Sequence, residues 1–132
     1  MKLLVNIDVA ELDKATRFYC DALGLRVGRR FDGAVELLGL NAPLYLLEKP
    51  GGTPPFAGAA KREYTRHWTP VHLDFEVSDL PAAVGRARNA GATLEQDIET
   101  KSWGSIAMFA DPFGNGFCLL EFRGGGYDEI AL

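Results

Sequence analysis

The strongest constraint on this chain is an internal repeat. VNIDVAELDKATRFYCDALGLRV, beginning at Val5, can be laid on VHLDFEVSDLPAAVGRARNAGATL, beginning at Val71, by setting Val9-Ala10-Glu11-Leu12 against Val77-Ser78-Asp79-Leu80. Each copy then reads as strand, acidic turn and helix, with the second helix one residue shorter. Further on, Tyr45-Leu46-Leu47-Glu48 matches Cys118-Leu119-Leu120-Glu121. The repeat predicts a βαβββ unit present twice. A length of 132 residues suits one domain, or two small modules sharing a core.

Local patterns agree with that unit. Leu12, Ala15, Thr16, Tyr19 and Leu23 recur at helical spacing, and Gly24 stands where a left-handed cap ends a helix. In the second copy Asp79 is a good N-cap, Pro81 is tolerated in the first turn, Leu80, Ala83, Val84 and Ala87 form the apolar stripe, and Gly91 stops it. Strand candidates are LRVGRRF, AVELLGL, PLYLLE, ATLEQDIET, SIAMFA and FCLLEF, and TPVHLDFEV reads as a buried strand apart from its histidine. DPFGNG, residues 111 to 116, is a tight turn in which Asp111 accepts local backbone bonds and Gly or Asn takes positive φ. The expected organisation is a first module at 1–50, a linker or lid at 51–70, a second module at 71–122 and a tail at 123–132.

Charge and composition remove several function classes. A net charge of −4 with scattered basic residues offers nothing to a phosphate backbone, so no nucleic-acid partner is expected. The apolar run in MKLLVNIDVAEL is broken by Asn6 and Asp8, too short and polar for a signal peptide or membrane span, which predicts a cytoplasmic protein with no membrane partner. Cys20 and Cys118 lack CxxC spacing and are read as reduced, Cys20 being structural. His67 and His72 are the two histidines, so any imidazole chemistry uses one of them.

The pairing of VAELDKATRFYCDALGL with VHLDFEVSDLPAAVGRARNAGA, closed by MFADPFGNGFCLLEF, resembles the vicinal oxygen chelate superfamily, which includes glyoxalase I, extradiol dioxygenases and bleomycin- and fosfomycin-resistance proteins. The resemblance covers nearly everything before the tail. It implies an α+β fold in which two βαβββ modules form an eight-stranded mixed sheet around a cleft. It also implies, in catalytic members, metal ligands from the first and last strands of each module. Carried over, those positions are Leu4, Tyr45, His72 and Cys118, of which only His72 is a usual ligand.

Strand alternation then directs His72, Asp74 and Glu76 to the cleft and Leu73, Phe75 and Val77 to the helix side. His72 is open to three readings: a cleft histidine bonded to Asp74 or backbone, a ligand contact, or a metal ligand. Cys118 is either a small buried hydrophobe or, opposite an imidazole, half of a thiolate–imidazolium pair. Tyr45 suits stacking on and hydrogen bonding to an organic ligand. Trp103 is either a cleft wall or a sheet cap, with the wall preferred. KREYTRHW, residues 61 to 68, is either a solvated connection or a lid for an anion. Asp8, Asp74 and Glu76 either act as paired carboxylates or meet Arg29, Arg30 or Arg86 at the surface.

The expectation is therefore a small-molecule-binding protein whose cleft is metal-independent, with Tyr45, His72, Asp74, Trp103 and Cys118 contacting a small organic ligand. No cofactor is expected; a divalent metal, if present, would sit on His72 and Cys118. The alternative is an enzyme, a glyoxalase-like lyase or isomerase or an extradiol-type dioxygenase, with His72 and Cys118 as catalytic groups. A homodimer is expected in either case.

Overall fold

A computed structural model describes all 132 residues. The first module runs β1 (Val5–Val9), α1 (Leu12–Leu23), β2 (Arg26–Phe31), β3 (Ala34–Leu38) and β4 (Leu44–Glu48); the second runs β5 (Leu73–Glu76), α2 (Leu80–Asn89), β6 (Thr93–Lys101), β7 (Gly104–Ala110) and β8 (Gly116–Phe122). A short 3₁₀ turn at Gly126–Glu129 follows. The eight strands hydrogen-bond as two four-stranded mixed sheets of the same design, β1-β4-β3-β2 and β5-β8-β7-β6. In each, the first and last strands of the module pair in parallel and the remainder are antiparallel. No helix is long and apolar enough to cross a membrane.

Alternation decides what each sheet face does. Leu44, Leu46, Val35 and Leu37 point to α1 and are fully buried; Phe109, Ala107, Phe117 and Leu119 do the same beneath α2. Burying one such side chain contributes about 1.5–3 kcal/mol, so these two stripes hold each helix to its sheet. α1 ends at Gly24, which is left-handed at φ 68°, and α2 starts with the Asp79 carboxylate accepting from the Ala82 N–H at 3.0 Å. The helices differ by two residues, 12 against 10, rather than one. Asp111 closes the β7–β8 turn by accepting from the Phe113 and Asn115 N–H groups at 2.8 Å each, with Gly114 at φ 84°.

Two expectations change. The strand carrying LDFE starts at Leu73, so His72 lies just before it; Pro70 has no N–H for the ladder, and the pairing with β8 opens at Leu73 and Phe117. β5 is also a sheet edge, hence half-buried rather than buried. The chain divides into compact units at Met1–Thr65 and Arg66–Leu132. The segment expected as a linker is tied down on both sides of that division. Arg62 pairs with Asp8 at 2.5 Å and the Tyr64 hydroxyl donates to the Lys49 carbonyl at 2.7 Å, while Arg66 pairs with Glu95.

Candidate functional site

In the second module the parallel register sets Asp74 directly opposite Cys118. His72, two residues before Asp74, falls on the same side, with its Nε2 3.3 Å from Asp74 Oδ1. One donor atom from each of His72, Asp74 and Cys118 lies within 4.8 Å of the others. Both His72 and Asp74 are open to solvent, whereas Cys118 is 1% exposed. Burial is the main reason the Cys118 thiol is pushed up to about 12, and the Asp74 charge and its hydrogen bond from the thiol add to it. The thiol is thus protonated at neutral pH, and a nucleophilic thiolate paired with His72 is not what these surroundings favour.

Trp68, outside the expected site, borders this group. Its ring meets His72 edge-on at 5.2 Å, and the Arg66 guanidinium lies over it at 4.8 Å from the ring centre. The indole rests on Gly116, where a Cβ would come within 2.6 Å of it. Arg66 in turn forms an ion pair with Glu95, which raises the arginine's pKa and lowers the glutamate's through their hydrogen bonds. Two of the three Lys and Arg residues in KREYTRHW, Arg62 and Arg66, are consequently spent on Asp8 and Glu95.

The corresponding face of the first module is built differently. Tyr45 stands opposite Glu36 across β4 and β3. Its hydroxyl donates to Glu36 Oε1 at 3.0 Å and accepts from Arg29 Nη2 at 2.9 Å. Arg29 grips the same carboxylate through Nε at 2.9 Å, Nη2 at 2.7 Å and its backbone N–H at 3.1 Å. Those arginine bonds, first from the side chain, hold Glu36 at about 2 despite a side chain only 8% exposed. Arg29 therefore serves Glu36 rather than any of Asp8, Asp74 and Glu76. Gly28 makes room: a Cβ there would stand 2.8 Å from Glu36 Oε2.

Trp103 is not among these groups. It packs against Tyr127 and Phe122, ring centres 5.1 and 5.8 Å away, and its carbonyl accepts from Arg123. It stands at the β6–β7 turn, five residues before Met108, the neighbour of Cys118. Rising about 3.3 Å per residue, that is more than 10 Å of strand. The ring packs over the end of the sheet and holds the tail.

The metal implied by the family resemblance does not fit its four positions here. Leu4 has no donor atom, and the Tyr45 hydroxyl is already satisfied by Glu36 and Arg29. Only His72 and Cys118 remain, with Asp74 beside them. Glu36 was not singled out in the sequence; Arg29 was read there only as a surface partner for Asp8, Asp74 or Glu76, and Trp68 only as part of the KREYTRHW connection. Gly28 and Gly116, where a Cβ would meet Glu36 and Trp68, are traces of these contacts in the sequence.

Comparison with known proteins agrees with this architecture. The fosfomycin resistance protein FosX from Listeria monocytogenes superposes with a TM-score of 0.74 at 15% identity, covering 99% of this chain and 98% of that one. TioX from Micromonospora sp. ML1 gives 0.71 at 19% identity over 93% and 99% of the two chains. A glyoxalase/bleomycin resistance protein/dioxygenase family enzyme from Burkholderia phytofirmans PsJN gives 0.70 at 17% identity over 91% and 97%. Among curated sequences, an uncharacterized protein of Mycobacterium bovis is 42% identical over 64 residues, 47% of this chain and 42% of that protein, so the match spans less than half of the relative. The model of the glyoxalase-like domain matches residues 4–120. With that match reaching from before β1 into β8 and the paired βαβββ architecture beneath it, the chain belongs to the glyoxalase-like domain family.

Proposed function

We propose that the protein binds a small organic molecule and that this recognition does not depend on a metal held at the family's four positions. The observation that carries the reading is Tyr45, whose hydroxyl is committed to Glu36 and Arg29 and so presents a ring and a fixed polar edge rather than a free donor. Tyr45 is the contact assigned within the first module, and His72, Asp74 and Cys118 are those assigned within the second. The protein acts in the cytoplasm, in keeping with two free cysteines, and as a homodimer; a monomer by light scattering at micromolar concentration overturns the dimer.

A thermal-shift screen of aromatic compounds, thiol conjugates and antibiotics, run with and without chelator, tests recognition. A true ligand raises the melting temperature in proportion to its saturation, equally in both arms. Stabilisation that disappears with chelator overturns the reading. The grouping of His72, Asp74 and Cys118 favours a second reading, a metal-dependent glyoxalase-like lyase or isomerase or an extradiol-type dioxygenase. Turnover by metal-loaded protein, absent after chelation, would select it.

A further inference from the structure

We propose that the first module takes an uncharged planar aromatic group bearing a carbonyl on the Phe31 and Tyr45 rings, and that the Arg29–Glu36 pair turns away the corresponding aromatic carboxylate. This rests on the small-molecule reading above and names the ligand class for the first module's share of it.

Register and alternation assemble the surface. Val35, Leu37, Leu44 and Leu46 point to α1, so Glu36 and Tyr45 point the other way, and Phe31 joins them because it stands opposite Ala34 on β3. Phe31 is the one aromatic side chain on any of the eight strands that is exposed, at 49%. Its ring centre is 6.4 Å from that of Tyr45 with the planes inclined at 45°, and the Arg29 guanidinium lies 5.7 Å from it. Ala34 and Leu47, paired across β3 and β4, add apolar surface on the same face. Two rings and a guanidinium plane are surfaces on which a flat ring stacks.

The remaining donors of Arg29 decide which polar group can accompany that ring. Nη2 gives its two hydrogens to Glu36 and Tyr45, and Nε gives its one to Glu36. A carboxylate is gripped through two guanidinium nitrogens at once, and both edges that can do so include Nη2. What remains is Nη1, which suits a single carbonyl oxygen. Asn6, exposed and opposite Tyr45, offers a neutral amide beside it. Charge is balanced as well. Glu36 matches Arg29, and Arg62 matches Asp8, which stands opposite Leu47 on this face. Asp32 and Lys49, next after β2 and β4, add one charge of each sign. Arg26, opposite Leu38, is four residues along β3 from Ala34, more than 10 Å at about 3.3 Å per residue. An incoming carboxylate therefore loses hydration without meeting an unmatched cation beside the rings.

The test is calorimetric titration of the full chain near neutral pH with two probes that share one ring system, 2-naphthamide and 2-naphthoate. We expect the parent to bind the amide about tenfold or more tighter than the carboxylate, and Phe31→Ala to weaken amide binding by about the same factor. Glu36→Gln leaves the Arg29 charge unmatched and should move the preference about tenfold toward naphthoate. Phe31 is exposed, so its variant leaves the core intact; circular dichroism and light scattering on it check the fold and the oligomeric state. Naphthoate bound as tightly as naphthamide, no binding of naphthamide, undiminished binding by Phe31→Ala, or an unaltered preference in folded Glu36→Gln overturns the proposal. A changed oligomeric state in Phe31→Ala does so too, since it would give the ring to a second copy of this chain. The thermal-shift screen is a separate readout: ligands found there with failure here remove only the aromatic assignment, whereas an empty screen removes the reading beneath it.

Discussion

In the first module Glu48 accepts a hydrogen bond from the Leu12 N–H at 2.8 Å, and in the second Glu121 accepts one from the Leu80 N–H at 2.7 Å. The two glutamates are repeat partners, and each ties the last strand of its module to the start of the helix. On the opposite sheet faces the repeat partners diverge. Tyr45 belongs to an arginine–glutamate–tyrosine network with its carboxylate firmly ionised, and Cys118 belongs to a histidine–aspartate–thiol group with its sulfur firmly protonated. The helix side of a βαβββ unit is dictated by packing and by the unpaired N–H groups of the helix start. The other side is not, and there the two copies have different chemistry.

The largest effect that can break this comparison lies in the cores. Leu46→Ala and Leu119→Ala remove repeat-equivalent, fully buried side chains, and each should cost about 2–5 kcal/mol by urea denaturation. A loss under 1 kcal/mol in one of them alone would show that the helix sides are not equivalent after all. Next come the anchoring glutamates. α1 has no side-chain cap at Glu11, whereas α2 keeps the Asp79 cap. Glu48→Ala should therefore cost about 1 kcal/mol, and Glu121→Ala less. The reverse order, read from the same denaturation curves, would remove the rationale.

Smaller and pH-dependent is the effect of Glu36→Gln. The carboxyl sits at about 2 when folded against an ordinary 4.5, so its stabilisation is complete above about pH 4.5 and is lost as the pH falls toward 2. The variant should melt below the parent near neutral pH, and the gap should close across that window. A gap independent of pH would mean the Arg29 pair contributes nothing electrostatic. The smallest effect is chemical rather than energetic. In metal-stripped native protein a disulfide reagent should modify Cys20, half-exposed on α1, well before Cys118, which should react only on unfolding. Equal rates for the two thiols would contradict the protected state assigned to Cys118.

Much of this was legible in the sequence because repetition and alternation are local signals. The βαβββ unit and the Gly24 and Asp79 helix ends follow from spacing, whereas the common side of Asp74 and Cys118 follows from alternation in one strand together with the family resemblance that set Cys118 beside His72. What could not be read depends on departures from regularity. Arg29 reaches Glu36 because the β2–β3 register shifts between Val27 and Arg30, and no alternation rule reveals that irregularity. Trp68 reaches His72 through a loop, and its resting place, Gly116, is 48 residues away. The contact of Trp103 with Tyr127 was not legible because Tyr127 lies in the tail, where nothing periodic marks it.

The closure of each ladder within its own module also bears on how the chain folds. Every strand pairing of the first sheet lies between Val5 and Glu48, and every pairing of the second between Leu73 and Phe122. No β-ladder has to wait for a partner from the other half of the sequence, so loop closure is modest for a protein with this much sheet. During synthesis all residues of the first sheet have been added before Leu73, so none of its ladders needs a strand that is made later.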